Sequence, residues 1–185
     1  MKSRDTLALS ATIGALAGLR TFTPPAVVSQ AARYNLVGLR RSRLRPLRSS
    51  STANILAALA VGELIADKLP FIPSRLDIGP LTARAVSGAL CGSVIAGSGK
   101  MGRSIRSKPF KQDLPSTMAS GAAVGALGAI GGAFAGFYLR RELNRHFGVP
   151  DPAIAFVEDL AAIAGSVIIV SKKVSLLSLA TAGIL

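Results

Sequence analysis

Four apolar segments of membrane-crossing length dominate the sequence, and blocks of basic residues separate them. The segments are Thr52–Leu69, Leu81–Gly97, Ser116–Leu139 and Ala153–Val170. A helix needs about 20 mostly apolar residues to cross the ~30 Å hydrocarbon core of a membrane, and these segments approach that length. The sequence therefore predicts an all-α fold in which residues 1–185 form one integral-membrane domain, a bundle with four transmembrane helices.

The composition also favours lipid over water or nucleic acid as the surroundings of the chain. Half of the residues are hydrophobic, 19 are glycine and none is tryptophan. Small residues allow helices to approach closely in lipid. The net charge of +13 would suit nucleic acid, but the basic residues lie in blocks between apolar segments and no nucleic-acid-binding motif is present. We expect no nucleic-acid partner.

The basic blocks predict the orientation. Short loops rich in lysine and arginine stay in the cytoplasm. Six arginines lie between Arg33 and Arg48, five basic residues lie between Lys100 and Lys111, and Lys172–Lys173 follow the last span. We therefore predict a bacterial inner-membrane protein with these three segments and the N-terminus in the cytoplasm. Anionic lipid head groups are the expected partners of the arginine-rich loops.

The first apolar region is interrupted by the stretch GLRTFTPPAVV. An arginine and two prolines divide it into Thr6–Leu19 and Pro25–Val37, and each piece is too short to cross a membrane alone. This pattern predicts a re-entrant hairpin whose tip, with Arg20, Thr21 and Thr23, is a candidate polar site. The alternative is one long, kinked helix with an external N-terminus.

Charged residues inside the spans extend this candidate site. Glu63 and Asp67 are four residues apart and share a helix face. Arg84 lies at a similar depth in the next span, so a Glu63–Arg84 ion pair is the simplest explanation of both charges. Glu158 and Asp159 lie in the last span. Intramembrane ionisable residues suggest function by default, and we expect these groups to bind a small ion or solute.

One helix face carries a row of glycines, which predicts close helix packing within the chain or between copies in a homo-oligomer. The row comprises Gly121, Gly125, Gly128, Gly132 and Gly136. GSVIAGS recurs as GSVIIVS, which suggests a weak duplication of 52–98 in 116–171. The final apolar segment, VSLLSLATAGIL, is too short to cross a membrane.

The sequence contains little that supports soluble-type catalysis. His146 is the only histidine and Cys91 the only cysteine, which we expect to be a small packing residue. Hydrolase and metalloprotease motifs are absent. We therefore predict no catalytic residue and no cofactor, and leave metal binding and an intramembrane enzyme open.

Three stretches, GLRTFTPP, GELIADKLPFIPSR and VEDLAAIAGS, resemble a family of bacterial multi-pass membrane proteins catalogued as domain of unknown function 4126. The resemblance covers about Ala11–Val170, and its most specific parts are Gly18–Pro25 and the "E-x-x-x-D-K-x-P" pattern of Glu63–Pro70. Ala17 departs from the serine usual in the first motif. The resemblance implies a membrane location and important roles for Arg20, Glu63, Asp67 and Lys68. It implies no substrate.

Two functions follow from these features. The first is a small transporter or channel whose arginine and carboxylates line a polar site. The alternative is a structural or lipid-interacting membrane protein whose intramembrane charges only pair with each other. Convergence of the charges on a hydrated cavity would favour the first function, and pairing in a dry interface would favour the second.

Overall fold

A computed structural model describes residues 3–39, 44–67, 76–101 and 113–181 of the chain. These residues form helices and contain no strand. The six α-helices are α1 (Ser3–Leu19), α2 (Thr23–Arg33), α3 (Ser50–Ala66), α4 (Ile78–Met101), α5 (Asp113–Phe147) and α6 (Asp151–Thr181). A short 3-10 helix, Arg45–Arg48, precedes α3.

Three of these helices are long and apolar enough to cross a membrane. Their apolar stretches are Ile78–Ser98, Ser116–Phe147 and Asp151–Leu179. The first of the four predicted spans is the exception, because α3 has 17 residues and is about 25 Å long. The end of that predicted span, Lys68 and Leu69, lies outside the described residues. The described part of the chain thus supports three full-length spans and one shorter apolar helix.

The last two helices are longer than the sequence predicted. α6 continues through Lys172 and Lys173 to Thr181, so the described part of the final apolar segment belongs to this helix. Lys173 is fully buried and does not lie in a loop. The physical reason is that lysine is a good helix former with a long aliphatic stem, and no glycine or proline lies between Val170 and Thr181 to end the helix.

The break between α1 and α2 lies where the two prolines predicted it. α1 ends at Leu19 and α2 begins at Thr23, with Pro24 and Pro25 in its first turn. Proline fits there because the first N–H groups of a helix have no partner within the helix. α2 ends at Arg33, before the predicted Val37.

Asn35 ends α2 in a left-handed backbone conformation, with φ of 59°. The N–H of Leu36 donates to the carbonyl of Ala31 (2.9 Å) and the N–H of Asn35 to that of Ala32 (3.1 Å). This pattern is a Schellman motif, which satisfies carbonyls at a helix end and which asparagine tolerates better than most residues.

α2 runs back alongside α3 in the opposite direction. At the start of α2, the backbone N–H of Phe22 donates to Glu63 near the end of α3. Farther along α2, the hydroxyl of Ser29 donates to the carbonyl of Leu47, just before α3 begins (2.5 Å). The break therefore lies at one end of the molecule, and the segment that follows Arg33 lies at the other.

Glycines bring α1, α4 and α5 into backbone contact. Gly121 and Gly125 lie against Gly92 and Gly88 of α4, and a methyl group on either would clash with that backbone or with Ala96. The other three glycines of the row face α1 instead, Gly128 and Gly132 against its backbone and Gly136 against the side chain of Leu19. The row thus divides its contacts between two helices.

A hydrophobic cluster joins α1 and α4 to α2 and α6. It includes Ile13, Val28, Cys91, Ile95 and Ile169. Cys91 is fully buried within it, as expected of a packing residue.

Two large charged side chains lie fully inside this molecule, and many large apolar ones lie on its outside. Arg20 and Lys173 are the largest of the fully buried side chains in the described residues. The exposed apolar side chains include Ile55, Leu59, Val61 and Ile65 of α3, Leu127 and Leu139 of α5, and Phe156, Leu160 and Ile168 of α6. Such a distribution suits lipid surroundings, because a soluble protein would expose this apolar area to water.

Candidate functional site

A group of charged side chains lies where α1 breaks and α3 ends. We call this group the charged cluster; it consists of Arg20, Glu63, Asp67, Arg140, Glu158 and Asp159. It connects α1 with α3 and α5 with α6. Predicted site residues of three segments, the break, α3 and α6, therefore meet at one level of the bundle, and Arg140 of α5 joins them.

Arg20 pairs with two carboxylates from different helices. One terminal nitrogen of its guanidinium contacts Asp67, which follows the last residue of α3, and the other contacts Asp159 of α6. The arginine side chain is 1% exposed and the two aspartates are 12% and 11% exposed. A guanidinium suits this position because its planar set of donors can serve two carboxylates at once.

Glu63 binds the backbone at the break between α1 and α2. Its two carboxylate oxygens accept hydrogen bonds from the N–H groups of Thr21 (2.7 Å) and Phe22 (2.8 Å). The carboxylate thereby satisfies donors that the interrupted helix leaves open, and it lies at the positive end of the α2 dipole. The predicted Glu63–Arg84 pair was wrong, because these N–H groups are the partners of Glu63.

A side chain of α4 also binds the backbone at the break between α1 and α2. The hydroxyl of Ser87 donates to the carbonyl of Thr21 (2.5 Å), so both backbone groups of that residue are satisfied by side chains. Arg84, three residues earlier on the same face of α4, is 5% exposed. Thr23, at the start of α2, is also buried, and its hydroxyl has no hydrogen-bond partner in the described part of the chain.

The remaining pair connects α5 and α6. Arg140 donates to Glu158 with an N–O distance of 2.5 Å, and the glutamate side chain is 9% exposed. Arg140 therefore neutralises Glu158, and Arg20 neutralises the adjacent Asp159. Among the residues that the structure describes, no group of three or more His, Cys, Asp or Glu side chains is arranged to hold a metal ion.

The two motifs around Arg20 and Glu63 contact each other in this arrangement. A family model described as a domain of unknown function, DUF4126, matches residues 7–185, which is nearly the whole sequence. The chain belongs to the DUF4126 family. No curated protein and no solved structure matches it.

Two features of this DUF4126 chain were not predicted from its sequence. Ser87 is one of several serines in apolar helices, and only its three-residue spacing from Arg84 could have indicated that it faces the break. Lys173 was assigned to a cytoplasmic segment because of its charge, and nothing in the local sequence indicates that it is buried.

Proposed function

We propose that this DUF4126 protein is a small transporter or channel of the bacterial inner membrane, and that the charged cluster is its gate. The pairing of the fully buried Arg20 with carboxylates of both α3 and α6 is the observation that carries the proposal. The apolar outer surface of the bundle supports a membrane location, as do its three helices of sufficient length.

In the proposed arrangement, α4, α5 and α6 cross the membrane and α3 crosses it as a shorter, fourth span. α1 and α2 form a re-entrant hairpin whose tip is the break at Arg20. Irregular backbone at membrane depth occurs where it is buried in protein, and Glu63 and Ser87 satisfy the backbone groups here. The other end of the molecule, which carries Arg33, Arg45 and Arg48, faces the cytoplasm.

The energetic cost of the charged cluster supports a role beyond stability. Bringing several charges out of water costs several kcal/mol per ion, and replacing a buried ion pair by apolar residues is often neutral or stabilising. Buried ion pairs are thus weak evidence of a role in stability alone. Charges at this position are therefore better explained by a working site.

Exchange of partners at Arg20 is the proposed gating step. The cluster has more carboxylates than arginines, even when Arg84 is counted with it. A proton or a small cation that neutralises Asp159 would weaken its pair with Arg20. α6 would then be released from α1 at this level while Asp67 keeps its contact, which opens one side of the cluster.

Proton flux into vesicles tests this proposal. The purified chain is reconstituted into phospholipid vesicles that contain a pH-sensitive dye, and flux is driven by a potassium gradient with valinomycin. We expect flux above that of protein-free vesicles. Asp159→Asn should raise this flux by about 10-fold, because a permanently neutral side chain cannot pair with Arg20 and leaves the cluster open. Glu142→Gln removes an exposed carboxylate outside the cluster and should retain the flux of the unchanged protein.

The alternative, a purely structural cluster, is favoured by the internal pairing of these charges. Its prediction differs at two points. The unchanged protein would carry neither protons nor sodium or potassium ions above background, and Asp159→Asn would lower only the stability of the fold. Absence of flux in the unchanged protein would refute the gating proposal. Equal flux in Asp159→Asn and Glu142→Gln would refute it as well.

A further inference from the structure

Beyond the charged cluster, the hairpin between α5 and α6 forms an open cleft with a strongly basic lining. The cleft has a volume of about 430 Å³. We call it the arginine cleft; it is lined by Phe137, Arg140, Arg141, Asn144, Arg145 and Asp151. Its lining begins four residues beyond Ala133, where the backbone of α5 last contacts that of α1 at Gly18, and it lies toward the end of the bundle where the break is found.

The side chains of this cleft have the chemistry of a phosphate site. Arg141 and Arg145 are four residues apart on α5 and both are exposed. Guanidinium groups bind phosphate oxygens through two parallel hydrogen bonds, which makes arginine a preferred partner of phosphate. Asp151 is the one acidic residue of the lining, so the cleft keeps a net positive charge.

Neighbouring charges do not cancel this basic character. Arg140, one of the lining residues, is engaged by Glu158 at 2.5 Å. Glu142 pairs with His146 on another face of α5. The guanidinium groups of Arg141 and Arg145 are therefore the donors available to a ligand at this surface.

The place of the cleft along the helices identifies the source of the phosphate. Next to it, α5 and α6 expose large apolar side chains; these are Phe134, Tyr138, Leu139, Phe156, Val157 and Leu160. A phosphate bound in the cleft would thus lie at the edge of the apolar surface that faces lipid. Head groups occupy this level, and basic pockets between membrane helices bind anionic ones.

We propose that the arginine cleft binds the phosphate of an anionic phospholipid, whose acyl chains lie on the adjoining apolar surface of α5 and α6. This inference rests on the membrane location given above and not on transport. It concerns the end of the bundle opposite the arginine-rich segment that follows α2.

A single tryptophan placed in the cleft can report lipid binding there, because the chain contains no tryptophan of its own. Phe137→Trp is reconstituted into vesicles of phosphatidylcholine mixed with brominated phosphatidylglycerol or brominated phosphatidylcholine. We expect stronger quenching by the anionic lipid. In the same background, Arg141→Gln with Arg145→Gln should lower the preference for phosphatidylglycerol by up to about 30-fold, toward equality.

Arg4→Gln with Lys172→Gln is the matched control, because it removes two exposed positive charges far from the cleft. It should keep the preference of the Phe137→Trp protein. Each cleft arginine replaced alone should lower the preference about 5-fold, which provides a second test if the double variant does not insert.

Three results would overturn the inference. Equal quenching by the two brominated lipids would show that the cleft does not select an anion. An equal loss in the control would show a general effect of charge. Displacement of phosphatidylglycerol by inorganic phosphate, but not by chloride at the same ionic strength, would identify a free-phosphate site instead. Absence of proton flux would affect none of these readouts.

Discussion

The guanidinium of Arg20, directly after α1, pairs with Asp67 at the end of α3 and with Asp159 of α6. It thereby connects three helices. Arg20→Gln would leave Asp67 and Asp159 buried without this cation. Breaking a buried ion pair by removing one partner costs about 3–5 kcal/mol. We expect a loss of that size in the free energy of unfolding, measured by titration with dodecyl sulfate in mixed micelles.

Arg4→Gln is the control for this experiment, since Arg4 is exposed and the change should alter stability by less than about 0.5 kcal/mol. A comparable small effect of Arg20→Gln would mean that its two ion pairs do not hold the helices together.

Glu63 serves the backbone, so its replacement has a different consequence. Glu63→Gln offers one acceptor oxygen where two N–H groups need one each, and its amide group faces the second as a donor. We expect a loss of about 1–3 kcal/mol in the free energy of unfolding. Glu142→Gln makes the same exchange on an exposed part of α5 and should be nearly neutral; equal losses in both would contradict the role assigned to Glu63.

For individual residues, the sequence predicted which charged groups lie close together but not which of them pair. Spacing placed Glu63 and Asp67 on one face, and both reach the break at Arg20. The partners of these two carboxylates could not be predicted. Several cationic side chains lie at a similar depth, and sequence spacing does not show which of them is nearest. Backbone N–H groups, which Glu63 binds in preference to Arg84, become available only where a helix is interrupted, and their direction depends on the packing of three helices.

Among the helices, two neighbouring glycines of α5 allow the effect of close packing on stability to be distinguished from that of helix propensity. Gly132 lies against the backbone of Ala15 in α1, whereas its neighbour Gly131 has open space around it. Gly132→Ala should lower the free energy of unfolding by about 1–3 kcal/mol, the usual cost of overpacking. Gly131→Ala, the matched control, should change it by less than about 1 kcal/mol.

Unfolding of both variants in mixed micelles distinguishes the two effects. If Gly132→Ala and Gly131→Ala lowered the free energy of unfolding equally, the contact between α1 and α5 would not require a glycine at position 132.

Local signals predicted the elements better than their lengths. Two prolines and a polar tip marked the break after Leu19, because proline acts on its own backbone. The end of α6 was placed too early, since Lys172 and Lys173 were treated as a boundary. Charge marks a membrane surface only on average, and the burial of Lys173 depends on helices that are distant in sequence.

The whole molecule has two chemically different ends. The break, the charged cluster and the arginine cleft lie at one end. The start of α3 and the segment after α2 lie at the other, as the contact between Ser29 and Leu47 shows. In the proposed arrangement each end faces one compartment, and α1 begins on the side where α3 begins.

Labelling of single cysteines tests this arrangement. Cys91 is fully buried and should not react with a membrane-impermeant maleimide in the folded protein. Asp5, Ser50, Ser171 and His146 are exposed, so each can be replaced by cysteine in turn. In intact cells we expect labelling only at position 146, and after permeabilisation at the other three as well.

The position of Asp5 decides between the two interpretations of the first apolar region. A re-entrant hairpin places Asp5 on the same side as Ser50, because α1 and α2 then enter the membrane and return to the side from which they came. One long, kinked helix would place it on the side of His146. Labelling of Asp5→Cys in intact cells would therefore refute the re-entrant hairpin, even if Ser50 and Ser171 stay protected and the remaining spans are correct.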